Sequence, residues 1–269
     1  TEKFQELYEG VMINTGEKRL VLHHLTRGQL GKDVISEGKN KRDFYKSQQD
    51  AIAEFVEKVH SGKITNANGE KFTTVVQIGI GGSDLGPRAI YLALEQWARK
   101  NNKLKMEAKF ISNVDPDDGA GVALSLDLAH SLFVLVSKSG TTQETLANEL
   151  FVKGFLTKAG LDPSETSPLA NNPAYLASFY IDDYIGGRYS SSSAVGGAIL
   201  SLAFGADVFA DFLKGAHEAD KLATEKDIMK NPALLDALIG LYERNVQEYP
   251  STVVLPYSQA LSRFPAHLQ

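Results

Sequence analysis

The chain has 269 residues, of which 43% are hydrophobic and 23% are charged, and its formal net charge is −5. This composition is typical of a folded globular protein, and the acidic balance disfavours nonspecific binding to nucleic acid or to an anionic membrane. The sequence contains no cysteine for a disulfide or a thiolate metal site, and its six histidines form no HExxH pair, which disfavours a zinc hydrolase. No apolar run has the length of a membrane span, and the first residues lack the apolar core of a signal peptide, so we expect a cytoplasmic protein.

Helices and strands are predicted to alternate along most of the chain. A helix predicted over residues 47–59 carries Ile52, Phe55, Val56 and Val59 at the spacing of one apolar face. Further helices are predicted over residues 87–99, 141–159, 193–212 and 232–246, and strands over residues 75–80, 109–114, 132–136, 177–181 and 252–255. This alternation predicts the α/β class, with a doubly wound, mainly parallel sheet and flanking helices. Ligands of such sheets bind beyond the carboxyl ends of the strands.

The first strand predicted for this sheet runs into a glycine cluster, IGIGGSDLGP, at residues 78–87. A dinucleotide fingerprint would need a third glycine where Asp84 stands, and that carboxylate would repel a pyrophosphate. No Gly-Lys-Ser/Thr follows, so the stretch does not match a P-loop either. Gly82 and Ser83 instead favour a turn in which the backbone and a hydroxyl come close to a ligand.

The strand predicted over residues 132–136 is followed by SKSGTTQET, in which hydroxyls, one glycine and one lysine precede a helix. The first N–H groups of a helix lack partners within it and lie at its positive end, so hydroxyls beside them can complete a phosphate site. The alternative is a plain capping box, with a Ser or Thr N-cap and Gln143 or Glu144 as its acidic or amide partner. A capping box explains neither the additional hydroxyls nor Gly140, and this favours the phosphate site.

A third polar turn, GGRYSSSS, follows the strand predicted over residues 177–181. Two glycines before Arg188 permit an unusual backbone that could direct the guanidinium inward, where its permanent charge can stabilise an oxyanion. The alternative is a surface arginine after a tight turn that a serine caps. The residue pattern alone does not choose between these two interpretations.

In this order, the stretches IGIGGSDLGP, VSKSGTTQET and GGRYSSSSAVGG resemble the glucose-6-phosphate isomerase family. The similarity extends over nearly the whole chain, from KNKRDFYKSQQDAIAEFV through NPALLDALIGLYERN to VLPYSQALSRFPAHLQ. It implies a sugar-isomerase (SIS-type) domain and an enzyme of glycolysis and gluconeogenesis that interconverts glucose 6-phosphate and fructose 6-phosphate through a cis-enediol. The resemblance also implies that the enzyme uses no metal and no organic cofactor, and that it is a homodimer with shared active sites.

The resemblance assigns roles to residues of the three motifs. Gly82 and Ser83 would contact the sugar. Arg188 would stabilise the enediolate, and Glu144 would lie near the family's catalytic histidine. The phosphate would be held by residues of one loop: Ser137, Lys138, Ser139 and Thr142, with Gly140 and Thr141 completing it.

The chain also departs from the family's pattern. The family's catalytic glutamate lies in an ESNGK stretch soon after the segment that matches PAHLQ, its catalytic histidine and lysine lie later still, and neither Glu248 nor His267 matches these motifs. We therefore expect an N-terminal segment of residues 1–70 packed on a phosphosugar-binding domain of residues 71–269, with a second sugar-isomerase domain absent and this chain alone inactive. Near residues 164–166 the family has a further apolar strand, which is either deleted here or missing from the sequence. A non-catalytic sensor of sugar phosphates is the alternative function, which the arginine motif disfavours.

Overall fold

The computed structural model describes residues 2–163 and 175–268. Within these ranges the elements follow one another as α1 (Glu2–Tyr8), β1 (Ile35–Ser36), β2 (Lys39–Asn40), α2 (Lys41–Ser61), β3 (Thr74–Ile78), α3 (Leu85–Lys100), β4 (Glu107–Ile111), α4 (Pro116–Leu124), β5 (Ser131–Leu135), α5 (Gln143–Lys158), α6 (Ala194–Phe204), α7 (Ala206–Ala223), α8 (Pro232–Asn245) and α9 (Phe264–Leu268). Short 3₁₀ turns at Gly81–Ser83 and Gly187–Ser192 precede α3 and α6. None of the helices in these ranges combines the length and the apolar composition that crossing a bilayer requires.

A parallel sheet with the strand order β4-β3-β5 lies at the centre of the fold. Ile78, at the end of β3, lies opposite Ile111 of β4 and Leu135 of β5, so the three carboxyl ends meet at one edge of the sheet. Every residue of β5 is buried, as the continuous apolar run in its sequence predicts for a strand that is covered on both faces. The sheet therefore presents three successive loops at one edge.

Helices cover both faces of this sheet. On one face Val75 and Leu132 pack in an apolar cluster with residues of α2, α3, α6 and α7. On the other face Val76 and Phe133, the next residues of the same strands, pack with residues of α5. Neighbouring residues of a strand point to opposite faces, so burial of apolar surface holds a layer of helices on each side. The predicted α/β class, with a parallel sheet and flanking helices, is confirmed.

Helix α2 begins at residue 41, six residues before the predicted start, because Asn40 caps it. The Asn40 side chain accepts a hydrogen bond from the Arg42 N–H, and Gly62 ends the helix with a φ of 81°. The four residues predicted to form its apolar face are all buried: Ile52, Phe55, Val56 and Val59. The predicted amphipathic pattern of this helix is therefore confirmed.

Three predicted elements differ in the structure. The helix predicted over residues 193–212 is two helices, because Gly205 between α6 and α7 has a φ of 106°, which interrupts a helix. The segments 177–181 and 252–255, which were expected to be strands, form no strand in the described part of the chain. Ala177 and Phe179 pack against the core and residues 252–255 are exposed. Neither segment pairs with a strand among residues 2–163 and 175–268, so its backbone groups form no sheet ladder there. The strand expected near residues 164–166 lies outside the described residues.

Residues that precede β3 pack around the segment that leads to Arg188. Leu22, Leu25 and Val34 form an apolar cluster with Ile185, which is completely buried. The backbone N–H of Leu22 also donates a hydrogen bond of 3.1 Å to the Tyr184 carbonyl. The division into an N-terminal segment and a phosphosugar-binding domain stays a prediction, but these contacts bring the N-terminal residues to the segment that precedes Arg188.

Candidate functional site

The loop between β5 and α5 gathers its hydroxyls into one cluster at the carboxyl edge of the sheet. Ser137 Oγ lies 3.1 Å and Ser139 Oγ lies 3.4 Å from Thr142 Oγ1. Thr141 Oγ1 donates a hydrogen bond of 3.1 Å to Ser139 Oγ, which also accepts the Thr141 N–H. Gly140 has a φ of 68°, in the left-handed region that favours glycine. The structure thus brings together the hydroxyls of Ser137, Ser139 and Thr142, which the sequence assigned to a phosphate, and adds that of Thr141.

The first turn of α5 lies directly beside this cluster. Thr142 is the N-cap residue of the helix, but its side chain makes no capping hydrogen bond. The residue three positions later is Thr145, not Gln143 or Glu144, so the residues expected for a capping box do not form one. The first N–H groups of a helix have no acceptor within it, and the helix dipole makes this end positive. The hydroxyl of Thr142 and these N–H groups are therefore available to an anion.

Lys138 connects the hydroxyl loop to another segment. Its Nζ donates hydrogen bonds to the backbone carbonyls of Asp183, at 3.0 Å, and Ile185, at 2.9 Å. Burial lowers the pKa of Lys138, nearby Arg19 lowers it further, and the Asp183 carboxylate opposes both effects. The lysine thus ties the hydroxyl loop to the residues that precede Arg188, and its assigned contact with phosphate stays a prediction.

The glycine turn after β3 packs directly on the arginine turn. A β-carbon on Gly82 would lie 2.2 Å from the Gly187 carbonyl carbon and 2.7 Å from the Arg188 nitrogen, so only glycine fits. Ser190 Oγ donates a hydrogen bond of 3.2 Å to the Gly82 carbonyl. On the other side, a β-carbon on Gly79 would lie 3.3 Å from Val136 Cβ, next to the hydroxyl loop. The glycine turn therefore packs on the arginine turn and lies beside Val136, the residue that precedes the hydroxyl loop.

Ser83, the sugar-binding candidate in this turn, is held by a buried glutamine of β3. Gln77 is 1% exposed, and its Nε2 donates a hydrogen bond of 2.6 Å to the Ser83 carbonyl. The Gln77 Oε1 has no hydrogen-bond partner among the described residues. Gln77 was not among the residues singled out from the sequence. An amide within the apolar run VVQIG was a usable sign, because a buried polar group is costly without a hydrogen-bond partner.

Arg188 is exposed, and its guanidinium makes no hydrogen bond or ion pair within residues 2–163 and 175–268. It lines a cavity of about 310 Å³ together with Ser191 and His267. Residues 137–140 of the hydroxyl loop line a different cavity of about 290 Å³, whose other walls are mostly apolar but include Ser178 and Tyr180. The glycine and arginine turns therefore meet through their backbones, and Lys138 ties the hydroxyl loop to the arginine segment. Arg188 and residues 137–140 line separate cavities.

Two acidic side chains near these loops, Glu144 and Asp84, differ in their exposure to solvent. Glu144 is exposed in the first turn of α5, where the positive end of the helix stabilises a carboxylate. Asp84 is buried, with Oδ1 3.0 Å from Arg88 Nε; burial raises the pKa of Asp84 and the Arg88 charge opposes that shift. No group of three or more His, Asp or Glu side chains in the described ranges is placed to hold a metal ion.

An N-terminal histidine also contacts the arginine turn. The Gly186 N–H donates a hydrogen bond of 2.9 Å to His23 Nε2, and the His23 ring lies edge-on to Tyr189 with 5.2 Å between ring centroids. Burial lowers the pKa of His23 to about 4, and the charges of Arg27 and Lys138 contribute. The sequence analysis missed His23, because nothing in the local pattern LVLHHL indicates that it contacts a segment 163 residues later.

Comparison with known proteins agrees with the family resemblance of the three motifs and extends it along the whole chain. A family model described as phosphoglucose isomerase matches residues 1–269. The chain is 62% identical over 276 residues to glucose-6-phosphate isomerase of Treponema denticola and 46% identical over 279 residues to that of Borreliella afzelii; each match covers 100% of this chain and 52% or 53% of the relative. A crystal structure of a glucose-6-phosphate isomerase from Chlamydia trachomatis superposes with a TM-score of 0.87 at 36% identity and covers 100% of this chain and 52% of that one. The chain spans about half the length of these relatives, and it belongs to the phosphoglucose isomerase family.

Proposed function

We propose that this chain is the phosphate-binding half of a glucose-6-phosphate isomerase, which interconverts glucose 6-phosphate and fructose 6-phosphate. The observation that carries the proposal is the cluster of four hydroxyls beside the open amino-terminal end of α5. Neutral donors and a helix N-terminus bind a phosphate without a dense positive charge, which suits an enzyme that must release its product. Because the chain spans 52% of the Treponema denticola relative, the proposal concerns a protein of full family length.

In this proposal the sugar phosphate binds across the hydroxyl loop and the glycine turn. Gly82 and Ser83 contact the sugar, since the turn at Gly82 is packed closely enough to fix its backbone. Lys138 contributes a positive charge close to the loop. The phosphate oxygens accept hydrogen bonds from one group of residues: Ser137, Ser139 and Thr142, with Gly140 and Thr141 shaping the loop.

Arg188 stabilises the negative charge that develops during proton transfer. A base removes the proton from C2 of the open-chain aldose and returns it to C1, and the enediolate between the two steps carries its charge on oxygen. The unpaired guanidinium of Arg188 is suited to that oxyanion because it is permanently charged and has no competing partner among the described residues. Glu144, at the start of α5, lies near the family's catalytic histidine in this proposal.

The base itself belongs to the stretch that follows the segment PAHLQ in the family. Phe264 and His267 of this segment line the same cavity as Arg188. Residues that follow α9 would therefore start beside the arginine, where the proton transfer is proposed to occur. In this proposal the enzyme is a cytoplasmic homodimer of glycolysis and gluconeogenesis, without a metal or an organic cofactor.

A coupled assay tests this function. The full-length protein is supplied with fructose 6-phosphate, and the glucose 6-phosphate formed is oxidised by its dehydrogenase with a nicotinamide readout. We expect turnover by the full-length protein and none by the 269-residue chain, which lacks the proposed base. Binding of fructose 6-phosphate without turnover by the full-length protein would instead support a sensor of sugar phosphates, and turnover by the 269-residue chain would contradict the assignment of the base.

A further inference from the structure

We propose that His23 is a positioning residue for Arg188 and that its neutral ring holds the Gly186–Arg188 turn through Nε2. The inference rests on the proposed function, in which Arg188 contacts the reacting atoms. The same imidazole contacts the chain on both sides of the arginine: Gly186 donates to it from two residues before, and Tyr189 packs on it from one residue after. A side chain from the N-terminal part of the chain thus fixes both flanks of the proposed catalytic arginine.

Other contacts hold the residues on either side of Gly186: the glycine turn packs on Gly187, and two hydrogen bonds hold the residues that come before. The Tyr184 carbonyl accepts the Leu22 N–H at 3.1 Å, and the Ile185 carbonyl accepts Lys138 Nζ at 2.9 Å. These two bonds hold the segment before Gly186. The next fixed point toward Arg188 is the Gly186 N–H, which His23 accepts, whereas the arginine side chain has no partner among the described residues.

The hydrogen bond requires one protonation state of the ring. Because the Gly186 N–H is a donor, Nε2 must be an acceptor, and the proton of the neutral ring then lies on Nδ1. Protonation would place two donors against each other and break this contact. Burial and the cations Arg27, from the same segment, and Lys138, from the hydroxyl loop, disfavour protonation of His23. The other neighbour of the ring is Tyr189, which packs on it edge-on.

Two substitutions in the full-length protein separate the acceptor from the bulk of the ring. His23→Phe keeps an aromatic ring against Tyr189 and removes the acceptor, whereas His23→Gln keeps an acceptor oxygen. For His23→Phe we expect amide hydrogen exchange in a peptide over residues 184–189 to be about 3- to 10-fold faster and kcat to fall by a similar factor, the range expected for one hydrogen bond, with KM unchanged. His23→Gln should recover most of both effects and leave the pH profile of kcat/KM unchanged between about pH 6 and pH 8.

His24→Phe is the matched control. His24 is the next residue and is buried, but its ring nitrogens have no hydrogen-bond partner in the described part of the chain, so its substitution should leave exchange over residues 184–189 unchanged relative to other peptides.

Unchanged exchange in His23→Phe would overturn the inference whatever the activity. A fall of the wild-type kcat/KM below about pH 6.5 that disappears in His23→Gln would also overturn the inference, because His23 would then titrate in that range. An inactive wild-type protein would contradict the proposed function alone, since the exchange measurement still tests the contact.

Discussion

Thr142 occupies a position where a hydroxyl usually caps a helix. N-cap threonines commonly accept a hydrogen bond from the backbone of the first turn, but the Thr142 side chain makes no such bond. It lies instead within hydrogen-bond distance of Ser137 and Ser139. The hydroxyl therefore contributes little to the stability of α5, and this leaves it free for a ligand.

Replacing this hydroxyl tests its role at the residue scale. We expect Thr142→Val to weaken binding of fructose 6-phosphate by about 5- to 10-fold, the effect of losing one hydrogen bond, and to lower the free energy of unfolding by less than about 1 kcal/mol. Isothermal titration and urea unfolding measure the two effects. Thr157→Val, near the other end of α5, is the control, because its hydroxyl donates a hydrogen bond to the Lys153 carbonyl within the helix. Equal losses of affinity in both variants would contradict the proposed site.

The guanidinium of Arg188 is proposed to act mainly in the transition state. We expect Arg188→Lys to lower kcat roughly 100-fold, because the ammonium keeps the charge but loses the fixed fork of donors. Binding of a phosphate-bearing competitive inhibitor should change little, since the hydroxyl loop lines another cavity. Steady-state kinetics and inhibition constants separate the two results, and equal losses in both would assign Arg188 to binding alone.

At the scale of elements, the site depends on how closely two turns pack. The glycine turn and the arginine turn meet backbone to backbone, with a β-carbon on Gly82 placed 2.2 Å from the Gly187 carbonyl carbon. A flexible side chain could move away from an added methyl group, but these backbone atoms cannot move without shifting their turns. The close contact therefore determines the position of both turns.

We expect Gly82→Ala to separate the two turns, to lower the free energy of unfolding by about 1–3 kcal/mol, and to reduce kcat/KM of the full-length protein. Chemical denaturation and kinetics measure these effects. The control is Gly121→Ala in α4, where an added β-carbon meets nothing within 4 Å and helix propensity predicts a gain of up to about 1 kcal/mol. A wild-type stability and activity for Gly82→Ala would show that the contact does not fix the turns.

At the scale of the whole molecule, the buried His24 and the half-buried His23 make stability depend on pH. Burial, with Arg42 and Arg27 contributing, lowers the pKa of His24 from 6.5 to about 4, and the pKa of His23 is lowered to the same value. Because the folded-state pKa lies below the unfolded-state one, the unfolded chain binds more protons between these pH values. The stability that the fold gains by keeping these histidines neutral is complete above pH 6.5 and is lost as the pH falls toward 4.

We expect each of these histidines to contribute up to about 1.4 kcal/mol per pH unit to this loss. The difference in free energy of unfolding between the wild type and His24→Leu should therefore shrink or reverse as the pH is lowered from 7.5 to 5. Urea unfolding at several pH values measures this difference, in which the contribution of the carboxylates cancels. A difference that does not depend on pH would show that His24 is not held neutral by the fold.

The sequence predicted the local features and missed those that depend on tertiary packing. Burial of β3, β5 and one face of α2 could be predicted from the sequence, because the spacing of apolar residues within one strand or helix shows which of its faces are covered. His23 and Gln77 could not be assigned in this way, since their partners Gly186 and Ser83 are chosen by the fold. The segment 252–255 has the composition of a strand but pairs with no strand in the described part of the chain, and composition alone cannot supply such a pairing.

The most direct test of the account is a crystal structure of the full-length protein with bound fructose 6-phosphate. We predict that the phosphate lies within hydrogen-bond distance of the hydroxyls of Ser137, Ser139 and Thr142 and faces the first N–H groups of α5, with the sugar extending toward Gly82 and Ser83. A phosphate bound elsewhere, with these hydroxyls still bonded only to one another, would contradict the central claim.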